Sequence, residues 1–504
     1  MSTPILAYDN VKISPFEQVK LKELKMIHQV NEHGKLSFTG TITEEQKDKY
    51  VHSIQAQTPV EVYQVLEDGG RKELFCGLIS MMEIRKVLDV YYLKAEAYTY
   101  SYLLDMQVKT RSYQNASLVY SRLVKEVGRG YDDYDVIYSA DRDESIGNFV
   151  LQYHETDWAF LKRMAARVNT VLMPVGKFKS IKTFFGIPDD EATERLENFN
   201  YTVHKNLSEY LVHSKNHQAD VHETDFVYYE IETHKILNLG DAIRFQDRTY
   251  FIQKSISTME KGLIVHRYTL ASRLGINRAK PYNERIRGAS IGGRVLAIKR
   301  DTVKVHLEID NHQDEGTAYW FPYSTVYASE DGSGWYCMPE KGDSVRVNLP
   351  SQWEDAAFAI SSVNSYSEDA AKHGSTSGGG GNASGGGGNS SGDRMSDPNV
   401  RYFRNPAGME VKLTPDHVEI SANGGQAIVK LEASGAVTII GQKEVSLHSK
   451  ENVKIRAEKT LMMTATDEIV IGSDKGGRSR WIRQETPGLQ VPKYSRTNLL
   501  VNPE

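Results

Sequence analysis

Cysteine is almost absent from this chain: Cys76 and Cys337 are the only two in 504 residues. Two thiols support neither a disulfide framework nor a cysteine-based zinc site. Long apolar runs are missing as well, none approaching the ~18 residues that cross a bilayer. Met1 to Asn10 show no basic segment leading into an apolar core, so no signal peptide is read and the chain is expected to be made soluble in the cytoplasm. Nor does one sign of charge dominate. The 61 basic and 66 acidic residues leave a net charge of −5 and are interspersed, which gives no footprint for coating nucleic acid. Length is what the chain has: at ~100–200 residues per domain there is room for three or four domains.

What is present is a repeat. Apolar pairs recur every eight residues at Val429/Leu431, Val437/Ile439, Val445/Leu447, Val453/Ile455, Leu461/Met463 and Ile469/Ile471. Two residues after each pair stands a small one: Ala433, Gly441, Ser449, Ala457, Ala465 and Ser473. Spacing i, i+2 places both side chains on one face of a strand, whereas a helical heptad needs spacings of three and four. Each octad therefore reads as a short strand, a small residue at the bend and a polar corner. One octad is too short to form a full β-helix turn in a single chain. Three chains giving one side each close a triangular turn of roughly 24 residues, and six such layers make a rod of roughly 30 Å. The twelve apolar residues are the predicted trimer core. An ordinary β-meander with fortuitous spacing is the plainer alternative.

Upstream, residues 373–392 (HGSTSGGGGNASGGGGNSSG) read as a flexible linker with an r.m.s. span of about 25 Å. Residues 1–110 are strand-rich, with alternation over 60–65 and 91–98. Two helices are expected next: one capped by Asn115, carrying Val119, Leu123 and Val127 and ended by Gly128, and one capped by Thr156 through Trp158, Leu161, Met164 and Ala165. Strands return over 226–231, 242–245, 250–254 and 264–270. Residues 291–365 hold five or so short strands, which fits a small barrel of the OB type.

No residue set specifies chemistry. Glu155 and Asp157 read as helix capping and first-turn charge rather than a glycosidase pair. His217, Asp220 and His222 read as a solvated loop, not a metal site. Trp320, Phe321, Tyr323, Trp335 and Tyr336 could stack bases or sugars, but with no basic cluster beside them they read as barrel core and trimer contact. Gly292-Gly293 precedes a strand rather than a helix, against a dinucleotide fingerprint. Catalytic, cofactor-binding and metal residues are all expected to be none, and no cofactor is expected.

Several stretches together resemble the spike proteins of contractile injection machines, the VgrG family of type VI secretion and the hub and spike of contractile phage tails. Residues 151–163 (LQYHETDWAFLKR) look like the family's strand, acidic turn and helix; residues 334–347, with Trp335-Tyr336, Pro339-Glu340-Lys341-Gly342-Asp343 and Val345-Arg346-Val347, resemble its OB core; the octads resemble its triple-stranded β-helix. There are departures. After Pro350, Glu354-Asp355-Ala356-Ala357-Phe358 stands where the family usually shows an acidic turn, a proline and a glycine. The octads mostly use Ala or Ser for Gly, and no lysozyme domain lies between barrel and repeat. These differences suggest a divergent branch, nearer a phage-tail-like particle than type VI secretion.

The resemblance implies a mainly β chain: a hub of two β-barrel-like domains (1–110 and 201–287) with an α/β insert (111–200), an OB-fold (288–368), the linker (369–394), an intertwined trimeric β-helix needle (395–480) and a C-terminal tail or tip (481–504). It implies a homotrimer that caps a hexameric tail tube protein within a baseplate, carries effectors or a separate tip protein, and meets the target membrane only on puncture, with no nucleic-acid partner. Such a chain would end up in a virion-like or secreted particle. The tail, with Pro487, Pro492 and Pro503, would end the prism or meet the tip protein. A trimeric tailspike or fibre adhesin that binds or cuts surface glycans is the competing expectation.

Overall fold

The computed structural model describes residues 10–66, 69–188, 194–197, 200–216, 221–276, 281–325, 337–361, 397, 399–405, 407–472, 478–484 and 493–498. The Gly/Ser segment, His217, Asp220, Trp335, Tyr336 and the three C-terminal prolines lie outside them. The chain divides into two compact units, residues 1–365 and 366–504.

The first unit is built on one large sheet. From Val11–Ser14 it runs through Pro59–Val65, Arg71–Val87, Val90–Thr99, Glu32–Ile42 and Lys20–Gln29, then through Arg248–Glu260, Leu263–Ala271 and Val227–Thr233 to Tyr201–Lys205. The seam between the N-terminal and C-terminal strand blocks is the antiparallel pairing of Lys20–Gln29 with Arg248–Glu260, in register Ile27↔Ile256. Strict alternation creates each block. In Glu32–Ile42 every second residue from Gly34 to Ile42 is buried, with Leu36 and Phe38 all but inaccessible. Phe38 packs on Phe16 (5.3 Å between ring centroids), and Phe16 packs on Tyr50 (4.9 Å) from helix α1, Glu44–Ser53. Thr43 and Gln46 form the reciprocal capping box that starts α1: Gln46 N donates to Thr43 Oγ1 at 3.3 Å, and Thr43 N donates to Gln46 Oε1 at 2.9 Å.

The insert carries helices α2 (Tyr120–Val127) and α3 (Asp157–Arg167) over a three-stranded sheet, in which Ile181–Gly186 runs parallel to Tyr134–Ser139. Leu123, Val127, Phe160, Leu161, Met164 and Phe185 form its core. Thr156 caps α3 as expected, accepting from Ala159 N at 3.2 Å. Asn115 does not cap α2. Val119 takes that place, and Asn115 closes a turn of its own, its Oδ1 accepting from Ser117 N at 3.0 Å. Gly128 does follow α2, but in right-handed backbone (φ −74°). Space is what it supplies: a Cβ there would sit 2.1 Å from the Tyr134 ring.

The third part is a five-stranded barrel-type sheet, in the order Trp320–Pro322, Thr302–Leu307, Ala289–Lys299, Ser344–Leu349 and Phe358–Ser361. Val303, Val305, Leu307, Phe321, Val347 and Leu349 fill its interior. Two residues of the insert, Phe149 and Leu151, enter the same core, with the Phe149 ring 5.0 Å from that of Phe321. Hub and OB barrel therefore share apolar contacts rather than merely abutting.

The second unit opens with an antiparallel meander of five strands: Arg401–Arg404, Glu410–Leu413, His417–Ala422, Ala427–Glu432 and Val437–Gly441. Gly435, with φ +89°, turns the last hairpin, a conformation that favours glycine. Residues 442–467 form neither strand nor helix; Glu468–Gly472 then pairs with Arg478–Gln484, and that strand with Lys493–Asn498.

Candidate functional site

The second unit carries the strongest candidate surface, and the strand register builds it. Residues directly opposite in an antiparallel pair share a face. Following the pairs across the meander gives one row, Phe403–Val411–Ile420–Val429–Ile439, and a second, Arg401–Leu413–Val418–Leu431–Val437. Every residue in both rows is apolar except Arg401, at the first strand. On the reverse face, Tyr402, Lys412, Glu419, Lys430 and Thr438 line up instead, with opposite charges adjacent across the strands. The sheet is thus amphipathic, yet among the described residues of the second unit nothing covers the apolar side. Phe403 remains 61% exposed, Ile420 54%, Leu431 49% and Val437 64%. The surface is concave: Phe403, Val411, Ile420, Val429, Ile439 and Val445 line an open groove of about 490 Å³.

The octads join this face at its last two strands. The first two pair with each other as a hairpin, Val429 opposite Ile439 and Leu431 opposite Val437. The next three form no strand in the isolated chain. Val445, Leu447, Val453, Ile455, Leu461 and Met463 all stand exposed, Leu447 the most at 69%. Ile469 is half-buried in the strand Glu468–Gly472; the Ile471 side chain lies outside the described residues. Large apolar side chains left in water at regular spacing, on a chain with polar residues between them, mark an interface rather than a core.

Sequence reasoning missed the upstream half of this surface. Val411/Leu413 and Val418/Ile420 carry the same i, i+2 signature, but they are separated by turns of unequal length and so fall outside the eight-residue frame.

Glu155 and Asp157 sit in networks of ion pairs and hydrogen bonds. Asp157 is more than a first-turn charge. It is fully buried, taking Lys109 Nζ, an Arg111 guanidinium N–H and the Tyr131 hydroxyl, each at 2.6 Å, and Gln152 Nε2 at 2.9 Å. Glu155 faces Arg163 at 2.5 Å, and burial pushes its carboxyl above the usual range against the pull of that guanidinium. Arg163 also reaches Glu354, in the segment that departs from the family pattern, and Arg167 contacts the other Glu354 oxygen. These carboxylates are held by cations on several sides; Glu354, with Arg163 and Arg167, borders a small pocket of about 200 Å³. Among the OB aromatics, Phe321 is inaccessible, Trp320 is half-buried with Lys304 Nζ 5.0 Å from its ring centroid, and Tyr323 is half-buried. His222 begins a short 3₁₀ turn. Among the described residues no group of acidic, histidine or cysteine side chains is placed to hold a metal, and no helix is long and apolar enough to cross a membrane.

A large antiparallel sheet with an α/β insert, sharing a core with an OB barrel, is a fold similar to that of solved VgrG and phage-tail hub proteins. The family model described as the type VI secretion system/phage-baseplate injector OB domain matches residues 292–363. No curated protein matches the sequence. Among solved structures, the c3393 protein of E. coli, described as a component of the type VI secretion system similar to the T4 bacteriophage tail proteins gp27 and gp5, is 14% identical. That match covers 69% of this chain and 98% of the other, with a TM-score of 0.50. The half-lidded Francisella PdpA–VgrG complex matches at 8% identity over 85% of this chain and 87% of its own, TM-score 0.52. The lidless form of the PdpA–VgrG complex matches at 8% identity over 84% and 94%, TM-score 0.52. At such identities the likeness is one of fold, and it spans the hub as well as the barrel.

Proposed function

We propose that this chain is the central spike of a contractile injection particle. Three copies join through the octads into a β-helix needle, their hubs cap the tail tube, and sheath contraction drives the needle through a target envelope. One observation carries the proposal: an apolar strand face, uncovered in the single chain, follows an OB barrel of the injector type. Val429, Leu431, Val437, Ile439, Val445, Leu447, Val453, Ile455, Leu461, Met463, Ile469 and Ile471 would point toward the threefold axis. Stacked strands from three chains would satisfy one another's backbone groups and leave no lateral edge, so the rod would resist compression.

The domain limits read from the sequence, from the first hub barrel at 1–110 to the tail at 481–504, belong to the same proposal. So do the partners: a hexameric tube protein, baseplate proteins, and a tip protein or effector. The action is mechanical and the chain is proposed not to be an enzyme; buried, paired carboxylates such as Asp157 and Glu354 fit structural work.

Native mass spectrometry of the purified chain tests this. A mass of three chains is expected, and electron microscopy should place it at the centre of a baseplate. A monomer at micromolar concentration would overturn the proposal, and localisation to peripheral fibres would favour an adhesin.

A further inference from the structure

The first unit holds an open-mouthed cavity that the spike role does not use. Its volume is about 360 Å³, and all three parts of the hub contribute walls: Met26, His28 and Leu74 from the N-terminal strands, residues 174–178 from the insert, and residues 236–241 with Ser257, His266 and Tyr268 from the C-terminal block. Leu74, Val175, Phe184, Ile236 and Leu239 make much of the lining apolar. That volume lies at the small end of the roughly 300–1,000 Å³ typical of ligand pockets.

Its polar groups are few and unevenly served. Ser257 and His266 face each other across neighbouring strands, with Oγ and Nδ1 2.6 Å apart. That bond occupies one ring nitrogen. The other, Nε2, is buried and has no hydrogen-bond partner among the described residues. Lys177 enters the same cavity half-buried, and among the described residues its ammonium makes no ion pair or hydrogen bond. Among the described residues the one carboxylate in the wall is Asp241, which is turned to Asn238, accepting from its backbone N at 2.7 Å and its side-chain amide at 3.1 Å. A buried imidazole nitrogen without a partner is unfavourable, and a single anion would satisfy it and pair with the Lys177 ammonium as well.

We propose that this cavity binds a small amphipathic monocarboxylate of the medium-chain fatty acid type, its headgroup on Lys177 and His266 and its chain against the apolar wall. The tautomer follows from the ligand: Ser257 donates its hydroxyl proton to Nδ1, and Nε2–H donates to the carboxylate. Nε2 is buried, so binding requires the His266 ring or a neighbour to shift enough to admit the guest. The electrostatics agree, because burial and then the nearby Lys72 charge push the Lys177 pKa down, and a bound anion reverses that pressure. An amine of equal length would be repelled by Lys177, and an alcohol would leave the ammonium unpaired.

Equilibrium dialysis of the full chain against octanoate, octan-1-ol and octylamine tests the proposal. Expected is saturable binding of one octanoate per chain, with both other probes at least about tenfold weaker, a difference of ~1.4 kcal/mol. Lys177→Gln should weaken octanoate about tenfold, and Lys177→Arg should restore it; both alter a half-exposed side chain, so the fold is kept. Octylamine binding as tightly as octanoate, absence of saturable octanoate binding, or Lys177→Gln binding like the wild type would each overturn it.

Discussion

Arg163 and Glu354 meet at 2.6 Å with only 6% and 2% of their side chains exposed, so helix α3 of the insert is tied by a buried charge pair to the segment after the OB strand Ser344–Leu349. Arg163 also donates to the Leu151 carbonyl at 2.7 Å, in the strand that feeds the shared hub–OB core.

Removing one partner of that pair should be costly. Arg163→Met leaves the Glu354 carboxylate buried with Arg167 alone, and a loss of ~3–5 kcal/mol is expected. Arg163→Met combined with Glu354→Leu should recover only part of it, because Glu354 is no longer a buried charge while Glu155 still loses Arg163. Urea unfolding of the three proteins checks this. Burial opposes ionisation of Glu354, but Arg163 and Arg167 outweigh it and hold the carboxyl below its usual range. The stability it contributes is therefore present above the ordinary glutamate pKa near ~4.3 and is lost as pH falls through the lower, folded value.

The octad surface makes a clean test because its residues are exposed in the single chain. Ile455→Asp alters a side chain that is 64% exposed, so the isolated chain should stay within about ±0.5 kcal/mol of wild type. In the assembled needle it would place three like charges near one axis, and assembly should fail. Native mass together with far-UV circular dichroism distinguishes a folded monomer from a trimer. A stable trimer would show that the register assigned to the octads is wrong.

Ile420→Asp examines the part of the surface outside the repeat. Ile420 stands directly opposite Val429 and is 54% exposed. If both belong to one interface, this variant should shift the equilibrium toward monomer as Ile455→Asp does, read by the same mass measurement.

A pH response should come from the hub cavity. His266 is held down to about 4 by burial and then by the charges of His234, Lys177 and Lys72; His28 is lowered to about 4 by burial and Lys177. An unfolded histidine titrates near ~6.5, so between about 6.5 and 4 the unfolded chain binds protons that the folded chain refuses. These two groups therefore make stability fall with falling pH across that window and leave it level above. His266→Gln should flatten the slope, as read from urea midpoints at pH 7, 6 and 5.

Gly128→Ala should destabilise the insert by ~1–3 kcal/mol, because the added carbon meets the Tyr134 ring at 2.1 Å. A melting temperature equal to wild type would mean that this ring moves freely.

What was legible in the sequence was local and periodic. Alternation announced strands such as Val90–Thr99, a threonine before an apolar run announced α3, and the fixed eight-residue step announced the octads. What depended on distant partners was not. Asp157 looks like an ordinary first-turn acid until Lys109, Arg111 and Tyr131 are folded around it. Glu354 looked like a departure from a family pattern, yet Arg163 and Arg167 make it a junction. The seam of Lys20–Gln29 with Arg248–Glu260 joins strands more than two hundred residues apart, which no local pattern reveals. Asn115 failed as a cap because a side chain that can close a turn competes with the helix for the same role.

The uncovered apolar face also governs how the protein must be made. The hub and OB barrel complete their cores within one chain, so their folding is first-order and indifferent to how many copies are present. The octads cannot finish alone, and under the proposed trimer their completion rises steeply with chain concentration. Under that proposal a newly made copy would spend its early life with its octads in search of two others. Yield and solubility should therefore depend on synthesis rate and local crowding of nascent chains more than on the stability of any one domain.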